Sequence, residues 1–351
     1  MRGKWLSAFQ VAAVYVGTVV GAGFATGKEI VEFFTQYGLY GLIGILLSGC
    51  LFMWIGAKMM IVSQEIGAKS YKEFNEYLFG NKIGTIVNIL MLLVLVGVTS
   101  VMLSGAGAVF HEQLGLPYLT GIGITIILTV GVMFFGVKGL FGVNLVVVPI
   151  MVLFSLILAS KVLMGGEGPV LGAFSSDTSL RWIVSPFIYT AFNLAMAQAV
   201  LVPLANEVKD RSIVKWGGII GGGILCLILI TNHISLSSLP NVGQFEIPMA
   251  EVMKTLMFSF YWLYVLVIYG EIFTSVIGDV FGLERQIKTA IRLPSILIVT
   301  GILTVAFFIS LFGYGSLISI LYPIFGYMSL TVLFLLVLPE SVLDRIPFRN
   351  S

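Results

Sequence analysis

The sequence predicts an all-α membrane protein of about ten transmembrane helices, arranged as two inverted repeats of five with discontinuous helices 1 and 6. Three observations carry this. The 351 residues are 58% hydrophobic and 10% charged, with a mean hydropathy of +1.05, which no water-soluble fold tolerates. Apolar stretches of about 20 residues, enough to cross a bilayer, recur about ten times. The first and sixth of them are interrupted by residues that weaken a helix.

The spans fall roughly at 6–36, 39–62, 83–110, 118–136, 140–163, 182–206, 213–237, 255–281, 292–313 and 315–338. Residues 1–164 form the first repeat and 181–338 the second, with an extracellular connection at 165–180 and a cytoplasmic tail at 339–351. Five spans is an odd number, so the second repeat enters the membrane from the opposite side, with the site at the midplane between the repeats. Arg2 and Lys4 precede the first span as in a signal peptide, but no cleavage site and polar domain follow, so this span is retained. The segment Tyr71-Lys72-Glu73-Phe74-Asn75-Glu76-Tyr77 reads as an interfacial helix.

The first span carries Gly17, Gly21, Gly23 and Gly27 at the depth where a helix should be firmest. Gly17-x-x-x-Gly21 also fits a small-residue packing face. Backbone freed there must be buried in protein or line a polar cavity, as in the broken helices that hold substrates and coupling ions in secondary transporters. Amides near Ala22, Gly23 and Phe24 suit a carboxylate; carbonyls near Gly17 and Val20 suit a small cation. Glu29 and Glu32 are explained by the dipole of the outer half-helix and by solvation.

The sixth span holds Pro186 and Pro203, each lacking a backbone donor, with Asn193 and Gln198 as amides in mid-membrane. Interhelical hydrogen bonding is one reading of these amides. The Gly-rich break in the symmetric position favours a second break at Phe192-Asn193. In the eighth span Glu271, Ser275 and Asp279 share one helix face, with Thr274 beside them. An ionisable group inside a span is a functional-site hypothesis. Glu271 is a candidate proton carrier or a carboxylate near a cation, and Asp279 lies nearer the cytoplasmic end. The hydroxyls of Thr274 and Ser275 are oxygens that hard cations accept. Thr99, Ser100 and Ser104 in span three are candidate cavity-lining hydroxyls. Phe187, Tyr189, Phe192 and Tyr269 are aromatics able to cover a substrate.

Charge sets the orientation. With the N-terminus in the cytoplasm, all of the 19 Lys and Arg except Lys28, Lys161, Arg181 and Lys254 fall inside, and ten spans return the C-terminus to the same side. Cys50 and Cys226 lack metal or redox spacing and read as buried free thiols. His111 and His233 are isolated, so no zinc site is expected. No nucleophile–base pair appears, so an enzyme is not expected.

These residues resemble a known pattern. The Gly21-Ala22-Gly23 break, the Phe192-Asn193 segment and the five-plus-five count look like the LeuT fold of the amino acid–polyamine–organocation (APC) superfamily. The opening Gly-Thr-Val-Val-Gly-Ala-Gly-Phe-Ala-Thr-Gly-Lys-Glu resembles the YkvI-like bacterial membrane proteins, regarded as amino-acid permeases. The resemblance implies a sodium site of the Gly17, Val20 and Glu271 carbonyls with the hydroxyls of Thr274 and Ser275. It also implies a substrate carboxylate at the amides of Ala22 and Gly23, and an α-amino group at carbonyls near Thr18 and Phe192. Gly21, Phe24, Ser104, Asn193, Gln198 and Ser275 complete the expected substrate site. Phe24 stands where the family's other sodium site has Asn, so a second sodium is not expected. Lys161 lies at the outer end of span five, away from the position of the basic residue in proton-coupled relatives.

The expectation is a secondary active transporter in the bacterial inner membrane, moving a small zwitterion, foremost a neutral amino acid, with one sodium ion. The alternative within the class is proton coupling through Glu271, with Asp279. The alternative outside it is a channel or a membrane sensor. The expected partners are the small-molecule substrate and the lipid bilayer, with no nucleic acid and no cofactor beyond the coupling ion.

Overall fold

A computed structural model describes residues 2–135, 140–165 and 180–337. Lys138, Arg345, Arg349, nearly all of the 165–180 connection and the 339–351 tail lie outside them. The described chain is helical throughout: α1 (Arg2–Val19), α2 (Ala22–Thr26), α3 (Lys28–Phe33), α4 (Leu39–Leu51), α5 (Ala57–Ile66), α6 (Tyr71–Ala108), α7 (Tyr118–Phe135), α8 (Leu140–Met164), α9 (Arg181–Glu207), α10 (Arg211–Leu236), α11 (Pro248–Leu256), α12 (Tyr261–Ala290), α13 (Ser295–Ser310) and α14 (Tyr314–Val337). Among the described residues, six helical stretches are long and apolar enough to cross a membrane, and three shorter apolar helices accompany them.

Two helices are reshaped by single features. α4 and α5 form one rod through a wide turn at Phe52–Gly56, where the Tyr15 hydroxyl donates to the Phe52 carbonyl at 3.0 Å. Gly80 in α6 adopts φ 74° and ψ 168°, which only glycine takes easily, and so sets residues 71–79 apart from the long rod that follows. This is the segment read from sequence as an interfacial helix.

α1, α4, α5, α9 and α10 pack on one another, while α6 packs against α7, α12, α13 and α14. Apolar side chains such as Ile86, Ile89, Leu93, Leu153 and Phe308 stay exposed on the outer faces, as lipid contact requires. The polar groups gather at two ends. At the end that holds the N-terminus, Lys4 pairs with Asp210 at 2.7 Å and Arg211 with Glu65 at 2.7 Å, and Lys58 donates to the Val337 carbonyl at 3.3 Å. This is a multi-pass membrane protein.

Two expectations are corrected. Helix 6 is not discontinuous: α9 runs unbroken through Phe192 and Asn193. Pro186 and Pro203 lie within about two turns of its ends, and the helix continues through both with one i→i−4 bond lost at each. Ser48 and Ser63 reach across from α4 and α5 to donate to the carbonyls of Pro186 (3.2 Å) and Val202 (2.9 Å), anchoring the helix beside each proline. Cys50 is exposed and Cys226 half-buried, so only the reading as free thiols stands.

Candidate substrate and ion site

The helix of span one does break. α1 ends at Val19, whereas Gly21 is extended (φ −112°, ψ −169°) and α2 begins at Ala22. A helix start leaves its first amides without intrahelical partners, and a helix end leaves its last carbonyls free. The break is held from α14: the Tyr314 hydroxyl meets Thr26 Oγ1 at 2.8 Å and reaches the Ala22 carbonyl at 3.4 Å. Phe24 is fully buried, while Gly17, Thr18 and Gly21 remain half-exposed.

Two other elements meet this break. From α12, Ser275 Oγ stands 3.9 Å from where a methyl on Gly21 would lie, and Thr274 Oγ1 donates to the Glu271 carbonyl at 3.1 Å. From α9, Phe192 packs on Tyr322 of α14 with ring centroids 4.5 Å apart. Tyr322 is also in ordinary contact range of Gly23. The structure thus brings Gly21, Gly23, Phe192, Asn193 and Ser275 to one place.

The remaining predicted residues have other surroundings. Ser104 is engaged between helices: it bonds the Tyr118 hydroxyl and donates to the Ser310 carbonyl at 3.1 Å. Thr18, Thr99 and Ser100 donate to carbonyls one turn back in their own helices. Gln198 is wholly buried, and among the described residues neither amide atom has a hydrogen-bond partner. Glu271 is 1% exposed, and Glu271 Oε1 and Asp279 Oδ2 accept no hydrogen bond from the described residues.

Sequence reasoning missed Glu29. It is 4% exposed. Gly27, at φ 80°, turns the chain between α2 and α3 and folds Glu29 back over the break. Its Oε1 accepts from Asn193 Nδ2 at 3.2 Å, and Asn193 also donates to the Tyr189 carbonyl at 3.0 Å. Its Oε2 lies 2.5 Å from where a methyl on Gly23 would stand.

Also missed was the closure of the end opposite the N-terminus. Lys28 Nζ donates to the carbonyls of Gly243 (2.9 Å) and Phe245 (2.8 Å). The Glu112 carboxylate accepts from the amides of Glu246 and Ile247, both at 2.8 Å. Glu246 Oε2 accepts from the Gly315 amide at 3.3 Å. Burial pushes the Glu246 carboxyl above the usual carboxylate range, opposed by that amide and by Lys28. Together these bonds tie α3, the α10–α11 connection, the end of the α6 rod and the start of α14 over the break.

The chain is 50% identical over 324 residues to the uncharacterized membrane protein YkvI of Bacillus subtilis (strain 168), covering 92% of this chain and 93% of that one. It is 26% identical over 344 residues to the uncharacterized protein YyaD of the same organism, covering 95% and 97%. No family model matches the sequence. Among solved structures, the inward-facing conformation of Mhp1 superposes with a TM-score of 0.60 at 13% identity, covering 93% of this chain and 75% of that one. Mhp1 in a closed conformation with bromovinylhydantoin bound, described as a nucleobase-cation-symport-1 family transporter, gives 0.50 at 12% identity, covering 94% and 74%. The shared fold is the LeuT fold.

Proposed function

The chain belongs to the family of membrane protein YkvI, and from that premise we propose that it is a secondary active transporter of a small zwitterion, foremost a neutral amino acid, coupled to one sodium ion. The observation that carries this reading is the unwound Val20-Gly21 segment with Ser275 of α12 against it and, at Gly23 just beyond, Tyr322 of α14, on which Phe192 of α9 packs. Unwound backbone inside a membrane bundle is tolerated only where protein buries it or it lines a cavity, and the broken helices of secondary transporters use it to hold ligands.

In this reading α1, α2 and α3 are one discontinuous span. The ten spans form a five-plus-five inverted repeat, and both termini are cytoplasmic. Sodium binds the carbonyls of Gly17, Val20 and Glu271 with the hydroxyls of Thr274 and Ser275, joining span one to α12. The substrate carboxylate meets the amides at Ala22 and Gly23, and the amino group meets carbonyls near Thr18. The closed end faces outside. Half-exposed Gly17, Thr18 and Gly21, and the higher superposition on inward-facing than on closed Mhp1, support an inward-facing state. Alternating access follows when the bundle of α1–α5, α9 and α10 rocks against the rest.

The test is thermal stability of the purified protein with and without sodium across a panel of amino acids. A ligand at 100 times its Kd stabilises the folded state by about 2.7 kcal/mol. A shift for one amino acid that needs sodium, and is lost in Thr274→Ala/Ser275→Ala, is the expected result. A shift governed by pH alone and lost in Glu271→Gln refutes sodium in favour of proton coupling at Glu271, whose buried Oε1 has no partner.

A further inference from the structure

We propose that Glu29 is a proton-binding carboxyl whose proton, taken up from and returned to the outer side, is required for that side to close, so that external pH gates the cycle. This rests on the alternating-access reading above and does not depend on the sodium site.

The geometry leaves this carboxylate without a counter-charge. Glu29 is buried, and among the described residues no lysine or arginine pairs with it. Its sequence neighbour Lys28 is spent on two carbonyls of the α10–α11 connection. The titratable groups that face it are Tyr189 of α9 and Tyr314 and Tyr322 of α14, which bring no positive charge. On its own helix Glu32 adds negative charge near Lys28, as does Glu246 in the connection. On α10, His233 Nδ1 is within hydrogen-bond distance of Thr35 Oγ1. Two neutral donors, Asn193 Nδ2 and the Tyr189 hydroxyl, are left to stabilise a buried negative charge. A carboxylate so placed in a membrane interior is costly and is relieved by a proton.

The proton's effect follows from where the side chain lies. Gly27 folds Glu29 onto Gly23, so the carboxyl is wedged between the two pieces of span one and α9. Opening the outer side moves α3 and hydrates Glu29, which then releases its proton. Closing it buries the group again, which requires the proton back. An external proton thereby favours closure over a loaded site.

The test uses the full chain in lipid nanodiscs, with Cys50 and Cys226 replaced by Ala. Spin labels are placed at Gln36 and Leu116, both exposed at the closed end, and their separation is measured by double electron–electron resonance across a pH series. In the wild type the longer distance is expected to grow as pH rises. In Glu29→Gln, which mimics the neutral acid, the short distance is expected to persist at every pH. In Asn193→Ala, which removes a donor that only the closed state offers Glu29 and leaves the hydrated open state as it was, the opening is expected at lower pH, by up to about one unit; a purely structural role of Glu29 would give no pH midpoint to move. A pH response that survives in Glu29→Gln, or one abolished by Glu271→Gln or Asp279→Asn instead, overturns the assignment. A wild type that responds to sodium or amino acids but not to pH overturns it while leaving alternating access standing. One that responds to none of the three overturns both.

Discussion

Replacing Gly23 by Ala places a methyl 2.5 Å from Glu29 Oε2 and 3.4 Å from both Glu29 Cβ and the Tyr322 ring. Ordinary contact begins near 3.4 Å, so the carboxylate must retreat by about 1 Å. Its other oxygen is held by Asn193, and the group is enclosed on every side by buried residues. Overpacking of this kind costs about 1–3 kcal/mol. Gly21→Ala is the matched control, because its methyl would have 3.9 Å to Ser275 Oγ and its φ of −112° suits any residue. Thermal unfolding in one detergent should therefore rank Gly23→Ala clearly below wild type, with Gly21→Ala close to it. The loss should be partly recovered in Gly23→Ala/Glu29→Ala relative to the sum of the singles, with a coupling of about 0.5–3 kcal/mol. If Gly23→Ala melts with Gly21→Ala, or the double variant shows no coupling, Glu29 does not lie over the break.

Two further outcomes follow from the ends of the bundle. Glu112→Gln leaves one oxygen for two amides and should cost about 1.5–3 kcal/mol of local protection, read as faster hydrogen exchange at Glu246 and Ile247; unchanged exchange would contradict the clamp. At the other end, Lys4 and the Ser212 amide hold the Asp210 carboxyl below the usual Asp range. A lowered folded value contributes stability above the unfolded value, lost as pH falls through the folded one. The wild-type advantage over Asp210→Asn in melting should thus be full near neutrality and fade in strong acid, and an advantage that grows on acidification would reverse the argument.

The break in span one was legible because it is local: four glycines within eleven residues weaken a helix wherever it packs. The same logic failed for span six. Pro186 and Pro203 each cost α9 one intrahelical bond without breaking it, and Asn193 turns its amide to its own helix and to Glu29 instead of unwinding. Glu29 read as an exposed first-turn acid because nothing in its own segment says that Gly27 folds it back or that α9 covers it. The conjunction of a glycine turn and an acid two residues later was the available signal. Ser104 shows the converse, since a mid-span hydroxyl looks alike from sequence whether it faces a ligand or a neighbouring carbonyl. Ser275 stands 3.9 Å from a methyl on Gly21, a neighbourhood that only the family pattern suggested.

The closure at the end opposite the N-terminus joins charge to main chain: Lys28, Glu112 and Glu246 each terminate on backbone groups. Interactions of a charge with a dipole at contact distance are little weakened by mobile ions, which screen charges separated by more than about 8 Å at physiological ionic strength. The lock should hold alike in dilute and saline surroundings, leaving the bound ligands to decide when it opens. Its acceptors at 243 and 245 are carbonyls that any residue supplies, whereas Glu246 is itself an anchor, Ile247 is buried and a methyl on Gly315 would press on Lys28. Positions 243 and 245 are therefore free to drift in sequence while the three charged anchors are not.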